Sequence, residues 1–145
     1  MTTNVPIESL ENSKIYLKDQ INSLVADLLY PSESDEKIEY FEMELSTAEN
    51  LSLANFRMFN GIRPEVTIQE IEYEKFFAPL IKIEDWFADD EKKWADDSLK
   101  LKQILSERLK DILILKVGEV EIDIYLFGKA EECKWQGIKT KVIET

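Results

Sequence analysis

No histidine occurs anywhere in the 145-residue chain. That absence excludes a Ser-His-Asp triad, a Cys-His dyad and His-ligated zinc at one stroke. Cysteine is almost as scarce. Cys133 stands alone, so no disulfide can form within the chain and no thiolate set can hold a structural zinc. Only four glycines occur, which leaves little of the flexible backbone that phosphate cradles and oxyanion loops use. Gly128-Lys129 and Lys139-Thr140 lack the upstream glycine spacing of a P-loop, and the lysines around Thr140 read more simply as the exposed side of a strand. Long apolar runs are also missing, so no membrane span is expected. No apolar segment follows Met1 either, and a cytoplasmic location is expected.

Acid is abundant. Thirty Asp and Glu against eighteen Lys and Arg give a net charge of −12. Such a field repels nucleic acid and anionic membrane and attracts basic surfaces. Direct nucleic-acid binding is therefore disfavoured. Hydrophobic residues make up 44% of the sequence, enough for one core, and a single domain over 1–145 is expected.

Leu17, Ile21, Leu24, Val25 and Leu28 share one helical face, predicting a helix over about residues 8–29, stopped by Pro31. A polar turn, Ser32-Glu33-Ser34-Asp35-Glu36, follows. Phe41, Met43 and Leu45 alternate with Glu42 and Glu44 as in a half-exposed strand. Thr47 could cap a short helix carrying Leu51, Ala54 and Met58, ended by Gly61 and Pro64. Val66, Ile68 and Ile71 suggest a strand, and Phe76–Ile81 a helical turn. From Ala88 to Leu109, Trp94, Leu101, Ile104, Leu105 and Leu109 form an apolar stripe, with Asp89, Asp90 and Glu91 at the positive end of the helix dipole. Ile112–Val117 reads as a buried strand. Val120, Ile122, Ile124 and Leu126 alternate with acids in a second strand that Gly128 closes. Residues 129–136 read as a loop, and Ile138, Thr140 and Val142 as a last strand. The order favours α+β: one mainly antiparallel sheet with helices against it.

Two acidic clusters stand out, six acids from Glu33 to Glu44 and seven from Glu84 to Asp97. Solvated surface is the simplest account, and neither carries the D-x-[DN]-x-[DN]-G spacing of a calcium loop. Carboxylate pairs suited to hydrolysis are inevitable in this composition and discriminate nothing. Trp86, between Asp85 and Phe87, is open to two readings of about equal weight: a core aromatic or an interface anchor.

Some residues carry a resemblance. Gly118-Glu119-Val120-Glu121-Ile122-Asp123-Ile124-Tyr125, Gly137-Ile138 and Thr140-Lys141-Val142-Ile143-Glu144-Thr145 are similar to the ending of nuclease A inhibitors, bacterial proteins that block a Mg²⁺-dependent, sugar-nonspecific nuclease. Ser32-Glu33-Ser34 and Asp85-Trp86-Phe87 agree in order and spacing. The likeness is strongest over 118–145 and poorest over 46–72. It implies a three-layer α/β/α sandwich of the plant pathogenesis-related-protein-1 (PR-1-like) type with a small central sheet. It also implies that Glu33, Asp85, Trp86 and Thr145 enter the active site of the partner endonuclease, the Thr145 carboxylate reaching the partner's magnesium. The free protein would then be a monomer without catalytic residues, cofactor or metal of its own. An acidic DNA mimic or adaptor for another basic protein is the competing reading, and a carboxylate hydrolase a third.

Overall fold

The computed structural model describes residues 17–32, 35–44, 51–131 and 134–144. Helix α1 covers 17–25 of these, and Leu17, Ile21 and Val25 are buried along one face. It ends four residues before the expected boundary, and the start expected near residue 8 lies outside the described residues. The Leu28 amide turns back to the Val25 carbonyl (3.0 Å), which frees Leu29–Tyr30 to form strand β1 against β2, Glu36–Lys37, with antiparallel pairs Leu29–Lys37 and Tyr30–Glu36. Backbone pairing has overridden the helical spacing of Leu28.

The main sheet is antiparallel and five-stranded. Its strands are β3 (Glu39–Glu44), β4 (Ile68–Glu70), β5 (Lys110–Val117), β6 (Glu121–Glu131) and β7 (Lys134–Ile143), in the order β3-β7-β6-β5-β4. Between them lie helices α2 (Leu53–Asn60), α3 (Tyr73–Ile81) and α4 (Asp89–Arg108). The arrangement is mixed α+β, as expected.

Side chains alternate across a strand, and that alternation sorts the core into two clusters. Ile114, Ile122, Ile124, Leu126, Ile138 and Val142 point to the face covered by α1, α3 and α4, where they meet Ile21, Phe76 and Leu101. Leu115, Val117, Tyr125, Phe127, Trp135 and Met43 point to the other face, where Phe56 of α2 joins them. Phe56 stacks on Phe127 at 5.4 Å and meets Tyr125 edge-on at 5.0 Å. Hence β6 is buried on both sides from Ile124 to Gly128, and not on one side as its upstream alternation suggested.

The loop expected over 129–136 is corrected to strand at 129–131 and 134–136, with 132–133 outside the described residues. β6 runs through Gly128 to Glu131, and β7 already begins at Lys134. Gly128 is a gap for neighbours and not a stop: a Cβ there would lie 2.8 Å from Leu109 Cβ and 2.9 Å from Ile112 Cγ1. Smaller differences follow. α2 is capped by Ser52, whose Oγ accepts from the Asn55 amide at 3.1 Å, whereas Thr47 and Leu45 lie outside the described residues. Gly61 ends α2 with φ +66°, as expected of a glycine after a helix. Val66 falls in a turn, its amide bonded to the Arg63 carbonyl at 3.1 Å. α3 starts three residues before the expected Phe76.

Candidate functional site

Three chain segments converge at one end of the sheet. The first is the connection between β1 and β2. The Ser32 amide donates to Asp35 Oδ1 (3.3 Å), and Asp35 adopts φ +43°, a left-handed conformation that Asp tolerates in tight turns. Glu33 and Ser34, which fall between these two residues in sequence, lie outside the described residues. Two bonds tie the hairpin to β7: Thr140 Oγ1 donates to the Lys37 carbonyl at 2.7 Å, and the Ile143 amide donates to Ser32 Oγ at 3.4 Å.

The second segment is the end of β7. Beyond Ile143, the Glu144 amide bonds the Val120 carbonyl at 2.9 Å, and Lys116 Nζ reaches Glu144 Oε2 at 3.2 Å. Thr145 lies outside the described residues, one position past this fixed point. A groove of about 610 Å³ is lined by Pro31, Ser32, Pro79, Lys116, Ile143 and Glu144. Tyr30 also borders it, donating to the Phe76 carbonyl at 2.8 Å. Burial first, and then the Glu144 carboxylate, push the Tyr30 hydroxyl up to about 12.

The third segment is the turn Glu84–Phe87, closed by a Phe87 amide bond to the Glu84 carbonyl (3.0 Å). It presents Asp85 and Trp86 to solvent, and Trp86 is 74% exposed, with the Phe87 ring edge-on to it at 4.7 Å. Downstream, Glu91 Oε2 accepts from the Ala88 amide at 3.2 Å and fixes the start of α4. Trp86 is therefore not a core aromatic. It overhangs a second groove, of about 410 Å³, whose walls include Pro31, Asp35, Pro79, Phe87, Trp94 and Ser98. Pro31 and Pro79 border both grooves, so the Trp86 side and the Glu144 side belong to one continuous edge. The structure thus places Asp85 and Trp86 on this edge, together with the immediate neighbours of Glu33 and Thr145.

Sequence spacing had put Trp94 on the buried stripe of α4, but it is 41% exposed. The buried line is Ala95, Ser98, Leu101 and Leu105. Ser98 has a legible signal in its spacing: a polar residue four after Trp94 and three before Leu101 falls on the buried line, and its hydroxyl needs a partner. Among the described residues no group of three or more Cys, Asp or Glu could hold a metal ion, and no helix is long and apolar enough to cross a membrane.

An exposed indole beside an apolar slot bordered by carboxylates has the chemistry that suits protein docking. The comparisons make the class specific. The family model for nuclease A inhibitor-like proteins matches residues 16–145, and the chain belongs to that family. The comparison with curated proteins finds no match.

Proposed function

We propose that the protein binds and blocks the active site of a Mg²⁺-dependent, sugar-nonspecific DNA/RNA nuclease in the cytoplasm, as a single non-catalytic domain without a cofactor. Membership of the nuclease A inhibitor-like family across 16–145 is the observation that carries this reading. The two cores on opposite faces of the sheet support a three-layer sandwich of the PR-1-like type.

Glu33, Asp85, Trp86 and Thr145 are the proposed contacts. A nuclease cleft is basic because it must hold phosphate, so the Glu33 and Asp85 carboxylates occupy positions meant for substrate charge. Mg²⁺ favours hard oxygen donors, and an oxygen of Thr145 substitutes for the water or phosphate oxygen the metal otherwise binds. Trp86 adds the desolvated apolar area that charge mimicry lacks. Lys116 and the Val120 carbonyl, by holding Glu144, limit the entropy lost when the following residue is ordered. Summed negative charge speeds encounter but does not select the partner.

The test is titration of plasmid cleavage by a Mg²⁺-dependent nonspecific nuclease with wild type, Glu33→Ala and Glu42→Ala. Inhibition at stoichiometric protein, lost about 30-fold in Glu33→Ala and kept in Glu42→Ala, is expected of a contact worth about 2 kcal/mol. Equal losses at both positions would mean that the protein acts as a diffuse charge mimic.

A further inference from the structure

We propose that the slot beneath Trp86 is a receptor for one arginine side chain of the protein partner. The proposal rests on the docking role of this edge and specifies what the edge reads. Three observations combine.

The walls are largely apolar and include two indoles, Trp86 and Trp94, with Leu80 and Phe87. The bordering charges are unbalanced: Asp35, Glu84 and Glu91 against Lys82 alone, whose Nζ is already 3.0 Å from Glu84 Oε1. Finally, Ser98 is 0% exposed and lines the slot, yet among the described residues its Oγ has no hydrogen-bond partner. A buried hydroxyl left unpaired destabilises the fold, so its retention on the wall of a slot points to a donor or acceptor supplied from outside.

An arginine satisfies all three features at once. Its aliphatic stem covers the apolar walls. Its planar guanidinium can lie against an indole face, where it is held by the ring quadrupole and is more weakly hydrated than an ammonium. Its fork of N–H groups can donate to Ser98 Oγ while other N–H groups meet the carboxylates. An anion would meet like charge at the mouth, and a purely apolar side chain would leave Ser98 unpaired with the carboxylates partly desolvated.

The experiment needs no nuclease. The intact protein is titrated with N-acetyl-arginine methylamide, N-acetyl-lysine methylamide and N-acetyl-norleucine methylamide while the indole N–H resonances are followed by NMR. The arginine probe is expected to give saturable shifts at Trp86 and Trp94 and none at Trp135, which is buried on the opposite face of the sheet. Lysine should bind more weakly and norleucine more weakly still. Ser98→Ala should weaken the arginine probe about tenfold, the usual worth of a hydrogen bond to a charged group, while leaving thermal stability equal or higher because an unpaired hydroxyl is gone. Equal binding of norleucine or of lysine, shifts that omit Trp86 and Trp94, or an unchanged affinity in Ser98→Ala would each overturn the arginine receptor. A protein that binds the probe without inhibiting a nuclease would refute only the proposed function. One that inhibits but ignores the probe would refute only the slot.

Discussion

Trp86 is 74% exposed and Ser98 0%, and each departs from what its chemistry prefers. An indole in water forgoes apolar burial, and a hydroxyl in the core forgoes a hydrogen bond. Folding stability explains neither, and the proposed partner, covering one and pairing with the other, would explain both. Tyr30 is the ordinary case, buried and hydrogen-bonded to the Phe76 carbonyl. Its raised hydroxyl predicts alkaline sensitivity. Because the folded state holds this proton up to about 12 and the unfolded chain releases it near 10.0, the stabilisation is complete below the lower value and is lost as pH rises through the higher one. Urea midpoints measured from about pH 9 to 11.5 should fall, and fall less steeply in Tyr30→Phe. An identical slope in the variant would remove Tyr30 from the account. At neutral pH that variant should cost about 1–2 kcal/mol, since the Phe76 carbonyl loses its donor.

The elements show where a sequence can be read and where it cannot. α4 was legible almost to the residue because its period repeats over Asp89–Arg108 and acids mark its start. β5 was legible from the apolar run Ile112–Leu115 and Val117 beyond Lys116. By contrast, β1 and β2 have two residues each, too few for any period, and exist through bonds to each other and to β7. Gly128 misleads for a different reason: glycine punctuates turns through its φ freedom but sits in strands where a neighbour comes close, and only tertiary contacts separate the two uses. Gly137 is the sharper case of close approach, since a Cβ there would overlap the Leu126 carbonyl oxygen of the paired strand. Gly137→Ala should therefore destabilise by about 3 kcal/mol or prevent folding, as overpacking against backbone does. Ser52→Ala, which removes only the α2 cap, should cost about 1 kcal/mol. Urea denaturation of both variants checks the order, and a Gly137→Ala protein as stable as Ser52→Ala would contradict the β6–β7 register. Of the candidate edge, Asp85-Trp86 and the polar turn were legible as motifs. Their approach to the end of β7 was not, because it depends on Thr140 and Ile143 bonding residues more than a hundred positions upstream.

At the scale of the molecule, a charge of −12 acts beyond any single contact. Association with a basic nuclease should slow steeply as salt rises, with dissociation changing much less, and stopped-flow rates that stay flat from low to moderate salt would remove steering from the account. The central claim is that one edge of the fold, and not the acidic or apolar surface in general, engages the partner. Trp86 and Met58 provide the comparison: both are large apolar residues, exposed by 74% and 81%, but Met58 belongs to α2, whose Phe56 packs on the other face of the sheet. The deciding measurement is the inhibition constant against a Mg²⁺-dependent nonspecific nuclease for Trp86→Ala and Met58→Ala, with unchanged melting temperatures confirming that both are folded. The account predicts a loss of about 30-fold or more for Trp86→Ala, equivalent to about 2 kcal/mol, and wild-type potency for Met58→Ala. Wild-type potency in Trp86→Ala, or equal losses in the two variants, would contradict it.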